Sequence, residues 1–186
     1  DQSNVASLSV QWEFMNGNGT GIAPFSGPAL ADGVLYVGTY AETTFRALDA
    51  ATGSILWSYT GTSFFSDPAV GDGHVYTASL DGNLYAFPTN CVGTCTPDWT
   101  VPVGTLGTNS PPTASRGNLY LGGYDGRVYA FEAATGAELW SAQVNPTSFA
   151  DPLNFPPAVS LDRVFVSGDR GVYAFPGSCT TPCTPL

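Results

Sequence analysis

ALDAATGSILW occupies residues 47–57, and AFEAATGAELW occupies residues 130–140. Near-copies of this length within 186 residues mark a repeated architecture, so the period is the first quantity to establish. PALADGVLYVG at 28–38 returns as PAVGDGHVYTA at 68–78, PTASRGNLYLG at 112–122 and PAVSLDRVFVS at 157–167. The aromatic anchors Tyr36, Tyr76, Tyr120 and Phe165 stand 40, 44 and 45 residues apart. The tryptophans Trp12, Trp57, Trp99 and Trp140 stand 45, 42 and 41 apart. Two independent rulers give one period.

Inside each unit the hydrophobic period is two. VLYVG, FRALDA and ILWSY are short runs rich in β-branched and aromatic residues. ADG, GDG, LDG and YDG between them are turn sequences in which Gly accepts positive φ. Pro-bearing stretches such as FSGPAL and FSDPAV suit crossings into the next unit. No amphipathic segment of helical length appears. Four short strands about every 43 residues are the signature of a β-propeller blade. The expected fold is therefore all-β, with four-stranded antiparallel blades in four approximate units, 15–59, 60–102, 103–142 and 143–186. The units alternate: the first and third carry the TG turn, the second and fourth read YAFPTNC and YAFPGSC before a cysteine loop.

Composition narrows the function classes. Hydrophobic residues make up 43% of the chain and charged residues only 11%, well below the usual quarter. There is no lysine, and five arginines face fifteen acidic residues for a net charge of −10. That balance argues against nucleic acid and anionic membrane surfaces. No run of eighteen apolar residues is available to insert in a membrane. Asp1 is not an initiator Met, and the reading is of a processed product or an excised piece. The cysteines form two short pairs, Cys91 with Cys95 and Cys179 with Cys183. With His74 the only histidine, two local disulfides are the better reading than zinc, and they imply an oxidising compartment. The expected location is secreted or cell-surface, with the periplasm as the alternative.

The pattern A-x-D-x-x-T-G-x-x-x-W resembles the tryptophan-docking motif of the PQQ-type (quinoprotein) β-propeller repeat family. Ala47, Asp49, Thr52, Gly53 and Trp57 match it in full. The third unit matches through Ala130, Thr135, Gly136 and Trp140, with Glu132 in place of Asp. The second keeps Ala86 and Trp99, and Pro88 with the cysteine loop replaces the Asp and the Thr-Gly turn. The fourth keeps Ala174. Physically, Thr-Gly makes a tight turn, Asp49 accepts its N–H groups, and the small Ala leaves room for a Trp that seals one blade against the next.

Trp12 aligns with the other tryptophans, so residues 8–14 read as an orphan fourth strand that completes the last blade. The chain is then a self-closed four-bladed ring, or half of an eight-bladed ring closed by self-association or by a longer chain. The resemblance implies a quinone cofactor with calcium near the axis in the dehydrogenases, held by Asp, Glu, Asn and a tryptophan platform, often with a vicinal disulfide. This sequence has no adjacent Cys pair, and its four tryptophans are taken by docking positions. No catalytic residue set is recognisable and no cofactor is expected, with PQQ and calcium as the alternative. Asp32, Asp72, Asp81 and Asp125 sit in turns and leave only weak structural calcium binding as a further option. The leading expectation is a non-catalytic extracellular scaffold for assembly, adhesion or protein binding. The alternatives are a fragment of a PQQ-dependent alcohol or sugar dehydrogenase and a lectin-like propeller using Tyr40, Phe64, Phe65, Tyr124 or Phe149. An outer-membrane assembly factor of similar repeats ranks last, because of the cysteine loops and the absence of a lipidation motif. Asn18 opens an acceptor sequon for glycosylation.

Overall fold

Asp32 and Gly33 take φ of 48° and 77°, and this pair joins β1 (Ala29–Ala31) to β2 (Val34–Thr39). Positive φ at both central residues gives a turn whose twist matches that of the strands, which explains the Asp-Gly sequence there. β3 (Thr44–Asp49) and β4 (Ile55–Thr60) complete an antiparallel meander, with Ala47 opposite both Tyr36 and Trp57. The computed structural model of the chain describes residues 9–14, 26–39, 42–144, 152–168, 170–179 and 183–186.

The meander recurs. The second sheet contains β5 (Ala69–Gly71), β6 (His74–Ala78), β7 (Asn83–Pro88) and β9 (Trp99–Pro102), interrupted in sequence by β8 (Gly93–Thr94). The third contains β10 (Thr113–Ser115), β11 (Asn118–Gly122), β12 (Arg127–Glu132) and β13 (Glu138–Gln143). The fourth has three strands among the described residues: β14 (Ala158–Ser160), β15 (Arg163–Gly168) and β16 (Gly171–Pro176). The short first strands neighbour one another in the order β1, β5, β10, β14. The sheets therefore follow one another as four blades, and no helix occurs among the described residues.

Of residues 8–14, expected to complete the last blade, the structure describes 9–14. The described part, 9–14, forms no ladder, and its Trp12 lies against the first blade. One difference from the expected four-stranded blades concerns the cysteine loop of the second unit. It does not stay within its own blade: β8 crosses to the first and pairs in parallel with β4, Gly93 beside Trp57 and Thr94 beside Ser58. The Cys95 amide extends this ladder by donating to the Ser58 carbonyl at 2.9 Å. The first sheet thereby gains a fifth strand on its outer edge, which would otherwise present unpaired backbone.

Side chains alternate across each strand, so every blade has two apolar faces and the core is divided into seams. The first seam joins blades one and two through Tyr36, Phe45, Ala47 and Trp57 against Val75 and Phe87. The second joins blades two and three through Tyr76, Leu84 and Ala86 against Leu119 and Phe131. The third joins blades three and four through Tyr120, Val128 and Trp140 against Val164 and Phe175. The first is the aromatic one: Phe45 lies 5.4 Å from Phe87 and 5.3 Å from Phe64, ring centre to ring centre.

Trp57 is the largest fully buried side chain. Its removal leaves a cavity that the surrounding rings cannot collapse to fill. Trp57→Ala is expected to lower unfolding free energy by about 3–5 kcal/mol, read from urea denaturation. A loss below about 1 kcal/mol would show that the first seam does not depend on this ring.

Candidate functional site: the blade seams and the strand-turn end

The Thr-Gly turns are built from the Asp outward. Asp49 Oδ1 accepts the Ala51 amide at 3.0 Å, and the Thr52 amide and hydroxyl at 2.8 Å each. These bonds, the Thr52 hydroxyl first, hold the Asp49 carboxyl below its ordinary range. In the third unit the Thr135 hydroxyl donates to Glu132. Gly53 and Gly136 close the two turns at φ of 74° and 73°.

The glycines have a second duty that sequence alone does not reveal. A Cβ on Gly53 would meet the Trp12 ring at 2.7 Å, and one on Gly136 would meet the Trp99 ring at 2.7 Å. Each glycine is thus the seat for an indole arriving from the preceding segment. The Trp12 indole N–H donates to the Ala50 carbonyl at 3.0 Å, and that of Trp99 to the Ala133 carbonyl at 3.2 Å. The Trp140 N–H makes the same bond to Gly177 at 3.2 Å. Two tyrosines converge on these acceptors: Tyr76 donates its hydroxyl to Ala133 and Tyr120 to Gly177. Across a seam, a carbonyl just after the third strand of one blade receives a Tyr and a Trp of the blade before it.

Trp57 departs from this rule. Its indole N–H has no partner among the described residues. The blade it faces has no Thr-Gly turn, and Cys91 and Cys95 pack there instead. Both cysteine pairs are disulfides, Cys91–Cys95 and Cys179–Cys183, and the second packs in the seam that holds Trp140. The alternation of units is therefore an alternation of indole seats, glycine turn then disulfide loop. Ala47, Ala86 and Ala130 are fully buried, and Ala174 is half-buried.

Three serines escaped the sequence reading. Ser26, Ser66 and Ser110 are buried, and their hydroxyls accept the amides of Gly38, Ala78 and Gly122 at 2.9, 2.8 and 3.1 Å. Each ties the segment entering a blade to the end of that blade's second strand. The signal was present as Ser-x-Pro at 26–28, 66–68 and 110–112.

At the end of the blades bearing the turns between second and third strands, the acids are internally engaged. Asp81 accepts the Asn83 amide and the Tyr85 hydroxyl; Asp125 accepts the Arg127 amide and the Tyr129 hydroxyl. In the first blade Glu42 pairs with Arg46 at 2.6 Å, the same four-residue spacing in ionic form. Burial first, then the aspartate hydrogen bond and charge, raises both Tyr85 and Tyr129 above the usual tyrosine range. Burial, with Asp72 adding, pushes Tyr76 up to about 12. Beside Asp81 lies a shallow groove bounded by Leu80, Pro102 and Leu106. Its floor is narrow because Gly82 and Gly107 meet backbone to backbone, a Cβ on Gly107 falling 2.6 Å from the Gly82 Cα. Leu80 and Leu106 are 44% and 57% exposed.

Of the remaining sequence candidates, His74 bridges the Asp98 carboxylate at 2.8 Å and the Asp72 carbonyl at 3.1 Å. Phe64 is buried in the first seam, and Phe65 and Tyr124 are half-buried. Asn18, Tyr40 and Phe149 lie outside the described residues. Among the described residues no three His, Cys, Asp or Glu side chains gather as a metal site. The dehydrogenase set of acids and a tryptophan platform does not fit these residues. Asp49, Asp81 and Asp125 are each spent on their own turns, Trp57, Trp99 and Trp140 lie at blade junctions, and Trp12 lies against the first blade.

A family model described as the outer membrane protein assembly factor BamB matches residues 4–175. The chain belongs to this family. The sequence reading ranked an assembly factor last, yet that is the description the family carries. The cysteine loops that weighed against it pack in the seams that hold Trp57 and Trp140. No curated protein matches the sequence. Among solved structures, BamB from Moraxella catarrhalis aligns at 20% identity with a TM-score of 0.69, over 87% of this chain and 53% of that one. The chain thus spans about half the length of that relative. The computationally designed Ika4 protein aligns at 16% identity and TM-score 0.68, over 90% of this chain and 99% of that one. The quinohemoprotein alcohol dehydrogenase ADHIIG from Pseudomonas putida HK5 aligns at 18% and 0.65, over 82% and 32%. Likeness at such identities shows the fold alone. The two disulfides fit an extracellular or periplasmic location. No helix among the described residues is long and apolar enough to cross a membrane.

Two measurements test this anatomy. Gly117 and Gly136 share positive φ, 76° and 73°, but only Gly136 touches an indole. Gly117→Ala should cost about 1 kcal/mol of backbone strain. Gly136→Ala should cost about 1–3 kcal/mol more through the clash with Trp99; equal losses would remove the indole-seat argument. The second measurement is alkaline stability. The buried tyrosines keep their protons where the unfolded chain releases its own, near pH 10. Their contribution is whole below about pH 10 and is lost as pH rises through about 12. The urea midpoint should fall over that window, and a flat midpoint would contradict the assignment.

Proposed function

We propose that the chain is a non-catalytic propeller scaffold, working outside the cytoplasm, whose strand-turn end binds protein partners. The observation that carries this reading is the groove beside Asp81. Two leucines stand exposed around it, on an end where the neighbouring acids are already engaged by their own turns. An exposed apolar rim on a rigid surface suits protein contact more than small-molecule chemistry. The assembly-factor description of the family supports the same direction. A dehydrogenase fragment holding PQQ and calcium finds no matching donor set among these residues. Calcium at Asp81 or Asp125 would have to displace the amides and tyrosine hydroxyls whose hydrogen bonds these carboxylates accept. Among the described sequence candidates for glycan stacking, Phe64 is buried and Phe65 and Tyr124 are half-buried.

A photoreactive residue at Leu106, expressed in cells of the source organism, should give a discrete protein adduct that Leu80→Asp abolishes. Calorimetry with PQQ and calcium should register no binding. One equivalent of PQQ bound, with dye-linked alcohol oxidation, would replace the scaffold reading with an oxidoreductase.

A further inference from the structure

We propose that two copies of this chain join end to end into one eight-bladed ring, with segment 9–14 of each copy adding the outermost strand to the last blade of the other. The argument starts from what the seams bury. Phe45, Leu84 and Val128 occupy one register position, two residues before Ala47, Ala86 and Ala130, and each is 0% exposed. Val172 holds that position in the fourth blade and is 71% exposed. Phe165, in the place of Tyr36, Tyr76 and Tyr120, is half-buried, as is Ala174. The forward face of the fourth blade is therefore the first half of a seam without the second.

The backward face of the first blade is the complement. Val70 and Ala114 pack into the seams with the blades before them, whereas Leu30 at the same position is 66% exposed. Were this face lying on the chain's own fourth blade as the third lies on the fourth, neither Leu30 nor Val172 would stand open. A second copy presents each face with the kind of surface it meets three times inside the chain.

Segment 9–14 supplies the remaining part. Trp12 rests on Gly53 and donates to Ala50 as Trp99 rests on Gly136 and donates to Ala133. It stands where the outermost strand of a preceding blade stands. Elsewhere that strand pairs with the third of its blade, Trp opposite Ala: Trp57 with Ala47, Trp99 with Ala86, Trp140 with Ala130. β16 has no such partner among the described pairings, and the Leu186 amide donates to Ala174 as the Asp98 amide donates to Ala86. The same register places Trp12 opposite Ala174 and Phe14 opposite Val172 of the other copy. Forward face to backward face is a heterologous contact, and it closes after two copies when each contributes half the rotation.

The test uses single-cysteine additions to the full chain. Phe14→Cys and Val172→Cys proteins are prepared separately, mixed and oxidised, then run without reductant. A covalent dimer in the mixture and none in either protein alone is the expected result, with native mass spectrometry giving twice the chain mass for the unaltered protein. Val172→Asp, at an exposed site, should raise the dimer dissociation constant at least about tenfold while leaving the fold intact by circular dichroism. A monomer by native mass spectrometry at about 100 μM would overturn the proposal. So would a double variant that cross-links within one chain, since that is a self-closed four-bladed ring. The groove at Leu80 and Leu106 touches neither end face, so the ring and the partner-binding reading fail separately.

Discussion

A meander of four short strands has two apolar faces and can bury neither by itself. Everything else in this protein follows from that constraint. Burial comes from stacking one blade on the next, so the core exists as seams and each residue's role depends on which seam it faces. Within a seam, nonpolar area supplies the bulk of the favourable free energy but little direction. Direction comes from the indole and tyrosine donors that converge on one carbonyl of the following blade, as Trp99 and Tyr76 do on Ala133. A donor aimed at a buried acceptor is costly to misplace, so these bonds fix how far one blade slides along another.

The alternation of units gains a physical meaning at the same place. Where the following blade offers a Thr-Gly turn, the glycine lacks the Cβ that would strike the ring, and the indole settles over it. Where it offers a cysteine loop, the disulfide packs in the same seam as the indole. Against Trp57 the loop also lends two residues, Gly93 and Thr94, as an added strand. That gain in edge pairing comes with one indole N–H that has no acceptor among the described residues. The exchange is uneven but sensible: a sheet edge carries several free backbone groups, and an indole carries one.

The seams also bear on function. Asp49, Asp81 and Asp125 accept hydrogen bonds within their own turns, and Trp57, Trp99 and Trp140 pack between blades. The proposed recognition surface is the outer one, where exposed leucines flank a groove at the turn end. Membership of a family described as an outer membrane assembly factor agrees with such a use of a propeller.

The sequence by itself determined the period, the strand character, the turn positions and the two disulfides. Each is a local property: alternation of apolar residues, Asp-Gly at a two-residue hairpin, and cysteines four apart. It also reads Trp57, Gly53 and their counterparts as docking residues, without showing that an indole rests on the turn of the following blade rather than of its own. Only the tertiary structure decided that, together with the crossing of Gly93 and Thr94 to a neighbouring sheet, the clamp formed by Ser26, Ser66 and Ser110, and the exposure of Leu30 and Val172. These contacts join residues from different units at distances along the chain that no local pattern encodes. The strand pattern recurs in every unit of a repeat protein, and only packing tells a face that has a neighbour from one that stands open.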